Sequence, residues 1–428
     1  MRSRAMRRPL AVYLTLEGAL ALFMGIHGTV TAIYRVQVAG LNPLQLTLVG
    51  TALEGSIFLL QLPTGALADT FSRRASVIVG VLLTGAGFLL EGLFPIFWTI
   101  LLAQVLWGAG YTFISGAEEA WIADEIGVER ANQAFLRANQ VGMVTQIVGV
   151  GISVALASVR LSLPLVTAGA LTLALGVALV PLMPESRRAP REGDGAAASL
   201  RERLAEVGRT ARAGLALTRA RPVLPLILGI TLFQGMSSEG FDRLGEAHFL
   251  LDTGLPPLGP LQPVAWFGAF SIAIALVGLA ATEVARRRVD TASHRSVSRA
   301  LLGLVAALLV CLVAFALAPG FGLAAVAYVA ANVIRRVTGP LSTAWMNQSA
   351  DTRSRATVLS LEGQADALGQ IAGGPVIGAI GLAASLPAAL LASAVALLPA
   401  LGLYLPAVAM RGHAAEVDVV EEAAILDE

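Results

Sequence analysis

The hydrophobic positions of this chain gather into runs of about 20 residues, the length an α-helix needs to cross the hydrocarbon core of a bilayer. About twelve such runs can be counted, near 10–34, 43–66, 75–95, 97–121, 134–158, 161–183, 222–250, 263–285, 298–318, 321–346, 356–381 and 385–408. The pattern predicts an all-α polytopic membrane protein with twelve transmembrane helices. Local punctuation agrees with it. Asn42-Pro43-Leu44-Gln45 offers an N-cap residue, a proline at the first helical position and a glutamine where a capping box needs one. Pro95, Pro164, Pro184, Pro222, Pro263, Pro319 and Pro387 also fall at expected ends.

The longest polar segment, Glu185 to Arg221, divides the runs six and six. Four parts are expected: an N-terminal six-helix half over 1–183, a cytoplasmic linker over 184–221, a C-terminal six-helix half over 222–410, and an acidic tail over 411–428. Within the linker, Leu200, Leu204, Val207, Ala211 and Leu215 recur at helical spacing with arginines on the other faces. That pattern fits an amphipathic helix on the inner membrane surface, or equally a solvated tether. An internal repeat supports two related halves. At an offset of 224 residues Ala120-Trp121 matches Ala344-Trp345, Gln140 matches Gln364, Gln146-Ile147 matches Gln370-Ile371, and Gly149 matches Gly373. This is the pattern of transporter halves related by an axis along the membrane normal.

Composition places most of the 428 residues in lipid. The chain is 56% hydrophobic and 14% charged, where a soluble protein carries roughly a quarter charged residues. Charge matters here by loop rather than in total. All but five of the 30 basic residues lie in segments on one side of the predicted spans, the exceptions being Arg35, Arg160, Arg243, Arg335 and Arg336. The positive-inside rule therefore puts both termini in the cytoplasm. The single cysteine, Cys311, excludes an intramolecular disulfide. His27, His248, His294 and His413 are far apart and show no metal spacing. No phosphate-cradling Gly-x-x-x-x-Gly-Lys loop and no Gly-x-Ser-x-Gly elbow appears. No enzyme, cofactor, metal site or nucleic-acid partner is expected.

One loop stands out. Gly65-Ala66-Leu67-Ala68-Asp69-Thr70-Phe71-Ser72-Arg73-Arg74 sets three charges between two apolar runs with almost no linker. With the twelve-span plan, this stretch resembles the loop signature between spans two and three of the major facilitator superfamily, with Ser72 where the family usually has glycine. Leu62-Pro63-Thr64-Gly65, Ser115-Gly116-Ala117-Glu118-Glu119-Ala120-Trp121, Ser238-Glu239-Gly240-Phe241-Asp242-Arg243-Leu244 and Arg355-Ala356-Thr357-Val358-Leu359-Ser360 look like bacterial members assigned to drug or antibiotic export. Two signatures depart from the family. Gln104 stands where proton-coupled exporters usually have an arginine in span four. The glycine-proline signature of span five is reduced to Gly142, Gly149 and Gly151, while a better copy, Gly369 to Gly378, sits in span eleven.

The resemblance implies a cytoplasmic gate of Gly65, Asp69, Arg73, Arg74, Asp124 and Thr357. Asp69 would face the N-terminus of span eleven, where free amides and the helix dipole favour negative charge, and Arg73 would pair with Asp124. Both contacts are expected only when the halves close on the inside. The other reading is a topology-setting turn with solvated charges.

Carboxylates inside spans are rare and costly, so they are functional candidates. Glu362 and Asp366 lie four apart, roughly 9 and 15 Å along span eleven, a spacing that makes them a candidate proton-binding site. A static bridge from Arg336 to Asp366 is the alternative. Glu17 and Glu54 are the other deep acids, roughly 10 and 17 Å from their helix starts. Arg243, with Glu239 before it and Glu246 after, forms ion pairs on its own helix or an outer gate. Glu118 and Glu119 are expected to pair with Arg130 and Arg137, and Glu91 to be structural. In the family, spans one, four, seven and ten line the cavity, which suggests a substrate site of Glu17, His27, Gln104, Tyr111, Gln234, Glu239 and Asn332.

The expected function is secondary transport in the cell (inner) membrane by a monomer. It would export a small amphipathic drug- or antibiotic-like compound in exchange for protons, lipid being the other partner. A metabolite or siderophore transporter is the alternative, and a non-transporting sensor or intramembrane enzyme is the remote one.

Overall fold

The computed structural model describes residues 2–185, 223–258, 263–349 and 355–410. The predicted linker helix near 200–217 and the acidic tail lie outside them. Among the described residues every regular element is helical: α1 (Arg2–Ile33), α2 (Pro43–Thr70), α3 (Arg73–Leu93), α4 (Phe97–Ile114), α5 (Ala117–Ile126), α6 (Val128–Ala157), α7 (Leu163–Leu182), α8 (Val223–His248), α9 (Val264–Arg288), α10 (His294–Ala316), α11 (Phe321–Ser349), α12 (Arg355–Ala383), α13 (Leu386–Ala396) and α14 (Leu398–Ala409). Eleven segments are long and apolar enough to span a membrane, α4 with α5 counting as one and α13 with α14 as another. The expected seventh span, α8, has the length, but Glu239, Asp242, Arg243 and Glu246 dilute its apolar character.

The ends follow the local chemistry. At α2 the Asn42 side chain accepts from the Gln45 amide at 2.9 Å while the Gln45 side chain accepts from the Asn42 amide at 3.1 Å. Ser72 caps α3 by accepting from the Ala75 amide at 3.0 Å. The predicted fourth span is broken: Gly116 and Gly127, at φ of 76° and 86°, take the left-handed conformation open to glycine and bound α5 as a separate ten-residue piece. Both α1 and α8 finish in a five-residue π turn, Tyr34–Val38 and Phe249–Thr253.

The chain divides into two compact units. The first comprises residues 1–208 with 256–271, and the second 209–255 with 272–428. In the first, α1 packs on α6, and α3 packs on α4 and α7. Backbone contacts set the α1–α6 crossing, since a Cβ at Gly25 would stand 2.4 Å from the Gln146 carbonyl and one at Gly149 2.3 Å from the Leu22 carbonyl. In the second unit α8 packs on α12, and α10 on α11. There a Cβ at Gly369 would stand 2.0 Å from the Leu232 carbonyl, and one at Gly235 2.3 Å from that of Asp366. Gly373, the repeat partner of Gly149, lies against Met236 in this same crossing. Glycines thus let two helices approach backbone to backbone at corresponding places in the two units.

Candidate functional site

The α8–α12 crossing carries Asp366 onto the flank of α8 and opens beside it a cavity of about 350 Å³. Its walls come from α8, α10, α11 and α12, with Leu397 between α13 and α14, and they mix polar and apolar side chains. Three acids, Asp242, Glu362 and Asp366, share the space with Arg335, several hydroxyls and the amides of Gln234 and Gln370. Phe241, Leu308, Leu312 and Leu397 supply the apolar part. Arg335 grips Asp242 with both terminal nitrogens, at 2.5 and 2.7 Å, in the bidentate fork that guanidinium and carboxylate favour. Its guanidinium carbon also lies 5.7 Å from the centre of the Phe241 ring. Asp366 accepts from the Gln370 amide at 2.7 Å.

Glu362 and Asp366, read from the sequence as proton-coupling candidates, and Gln234, read as a substrate-cavity residue, thus line one cavity. The predicted Arg336–Asp366 bridge is not formed. Arg336 is exposed, with its aliphatic stem against Gly278 of α9, because a helix turns neighbouring side chains by about 100° and only Arg335 faces α8. Asp242 was masked in the sequence by Glu239 and Glu246, which already account for the neighbouring Arg243. Glu239 is fully buried and ion-paired with Arg243 at 3.1 Å, away from the cavity wall. Asn332 donates to the Tyr328 carbonyl one turn back at 2.9 Å.

The first unit holds a second charged centre. Glu91 of α3, with no exposed surface, accepts from Arg35 at 2.7 and 3.2 Å and from the Gln104 amide at 2.9 Å. His27 Nε2 stands 3.7 Å from the same carboxylate, its ring stacked on Phe88 at a centroid distance of 3.8 Å. Tyr34 donates to the Glu91 carbonyl at 2.9 Å. His27 and Gln104, expected on a substrate cavity, are each only 1% exposed and turn to Glu91 instead. A carboxylate buried this deeply is stabilised only where its remaining lone pairs also find partners, so both turn to it beside Arg35. Arg35, assigned from the sequence to an outer loop, is the cation of this cluster. Tyr111 is exposed and Glu54 half-buried.

Elsewhere in the first unit the carboxyl of Glu17 on α1 stands near that of Glu118 at the start of α5, with Glu119 beside them. Glu118 thus meets another acid as well as any arginine partner on α6. The charged loop is tied down within the same unit. Arg73 reaches Asp124 at 2.5 Å and the Ala120 carbonyl at 3.1 Å. Arg74 donates to the Val180 carbonyl, and Ser72 to Glu185, each at 2.5 Å. The expectation that Arg73 and Asp124 meet only on closure of two halves is corrected: both lie in one unit, α3 against α5, and their pair needs no second unit. Gly65 is exposed on α2 and Thr357 half-buried near the start of α12; the side chain of Asp69 is outside the described set. Ser72→Ala is expected to lower stability by about 1 kcal/mol, and Ser72→Gly by only a few tenths, as for other N-caps. Thermal unfolding of the purified protein reads the difference.

No group of three or more metal-ligating side chains occurs among the described residues. The sequence profile described as Major Facilitator Superfamily matches residues 16–374. The chain is 22% identical over 403 residues to the "Uncharacterized MFS-type transporter YxaM" of Bacillus subtilis (strain 168), covering 92% of this chain and 95% of that one. Its fold is similar to the nucleoside transporter NupG, with a TM-score of 0.73, 12% identity, and 93% and 98% of the two chains covered. It is also similar to a bacterial homologue of the human lysosomal transporter Spinster in an inward-facing, unoccupied conformation. There the TM-score is 0.70 at 17% identity, over 95% and 97% of the chains. The helices, the matched profile and the relatives together make this chain a multi-pass membrane transporter, not an enzyme, and it belongs to the major facilitator superfamily.

Proposed function

We propose that the protein is a secondary active transporter of the cell membrane, with both termini cytoplasmic, that exports a small organic compound by alternating access in exchange for protons. The observation that carries this reading is the cavity of the second unit, where three carboxylates and one committed arginine face a space of metabolite size. Its acidic balance favours a cationic substrate. The loop and the span-eleven glycines, similar to those of bacterial drug exporters, support export of a drug- or antibiotic-like compound. The number of polar side chains on the cavity walls favours a second reading, transport of a polar metabolite.

Two carboxyl sites serve as proton carriers in this proposal: Glu17 with Glu118 in the first unit, and Asp366 with Glu362 in the second. A coupled carrier must hold a proton in one state and release it in another. Inverted vesicles loaded with a pH-sensitive dye test the coupling against a panel of organic cations. Substrate addition should discharge the pH gradient. Glu17→Gln, which removes the titratable group while keeping its size, should abolish that discharge while substrate binding persists. Uptake of substrate with no proton movement in the parent protein would sink the proposal.

A further inference from the structure

Three of the hydroxyls around the second-unit cavity have already committed their hydrogens. Ser238 donates to the Gly235 carbonyl at 2.9 Å, Thr338 to the Ile334 carbonyl at 2.9 Å, and Thr343 to the Gly339 carbonyl at 3.2 Å. Each such hydroxyl keeps its lone pairs and can offer a ligand only an acceptor. Two of the stronger donors are also engaged, since Arg335 holds Asp242 and Gln370 holds Asp366. Carboxylates add further acceptors. Independent of the acids, Ser237 is 2% exposed, lines the cavity, and its Oγ has no hydrogen-bond partner. A buried polar atom left this way is costly, and a bound ligand would satisfy it. The wall is therefore rich in acceptors and negative.

We propose that this cavity binds a small primary-ammonium compound carrying several further N–H or O–H donors, of the polyamine or amino-sugar kind, rather than a lipophilic cation without donors. This rests on the transport reading above and sharpens its substrate class. An anionic ligand is disfavoured because it would have to take Arg335 from Asp242. A quaternary or phosphonium cation matches the charge but leaves the acceptors and Ser237 Oγ without partners.

The experiment measures binding to the purified full-length protein in lipid nanodiscs by calorimetry. The probes are spermidine, its fully N-methylated counterpart, glucosamine and tetraphenylphosphonium. Spermidine or glucosamine is expected to bind at least about tenfold more tightly than either donorless cation, the worth of one or two charged hydrogen bonds. Asp366→Asn should abolish that preference. Ser237→Ala should cut affinity for the donor-bearing amine about threefold or more while leaving tetraphenylphosphonium unchanged. Equal or tighter binding of the donorless cations, or no binding of either amine by a protein whose unfolding is cooperative, would overturn the proposal. Dye-loaded vesicles separate the two levels. Proton-coupled flux of tetraphenylphosphonium would leave the exporter reading standing while rejecting this substrate class, and absence of coupled flux of every probe would reject the exporter reading.

Discussion

Replacing Glu91 with alanine is expected to cost about 3–5 kcal/mol of stability, because it strands the guanidinium of Arg35 in a site only 5% exposed with no counter-charge. The Gln104 amide and the His27 ring would lose their shared acceptor in the same step. Thermal unfolding in detergent should show a large drop, or no folded protein at all. The double variant Glu91→Leu with Arg35→Met separates the causes. Removing both charges leaves nothing unpaired, so it should recover most of the loss, as buried ion pairs replaced by apolar groups often do. A single variant as stable as the parent would mean that water reaches Arg35, against its burial here.

Gly369→Ala is expected to be nearly as damaging for a different reason. The added carbon would stand 2.0 Å from the Leu232 carbonyl, a backbone atom that cannot turn aside, so α8 and α12 must separate. Overpacking of this kind costs about 1–3 kcal/mol. The larger effect should fall on transport, since Asp366 is held in the cavity by the same crossing. Gly363→Ala supplies the control on the same helix, because nothing lies within 4 Å of its Cβ position. Equal transport by the two variants would show that the close crossing does not position the site.

These sites differ in how far they could be read in advance. Most of the spans and the capped start of α2 were legible because run length, proline position and charge placement are local properties of the chain. The acids of α12 were legible for a similar reason, their spacing fixing a shared helix face. Partner choice was not local. Arg35 and Glu91 are 56 residues apart, and each had a plausible solvent-facing or structural role alone. Arg335 and Arg336 were equivalent in depth and composition, and only the rotation of α11 against α8 chose between them. Gln104 was read as the loss of a charge on span four, and it is that within its helix. Its cluster nevertheless holds a cation, Arg35, delivered from the end of α1.

The π turns at Tyr34–Val38 and Phe249–Thr253 bear on how the two halves should be aligned with each other. Each closes the first helix of its half with a widened turn, a feature that in most proteins appears as a single inserted residue kept at a functional position. Their first residues lie 215 apart, whereas Gly149 and Gly373 lie 224 apart. The connection after the first π turn runs over 39–42, and that after the second over 254–263. Most of the slippage is thus taken up by extra chain at one loop. An ungapped comparison of the halves can match either their first helices or their fifth spans, never both. The likeness between the halves is thus carried by geometry more than by register along the sequence, and a gapped comparison of the two should open its gap against residues 254–263.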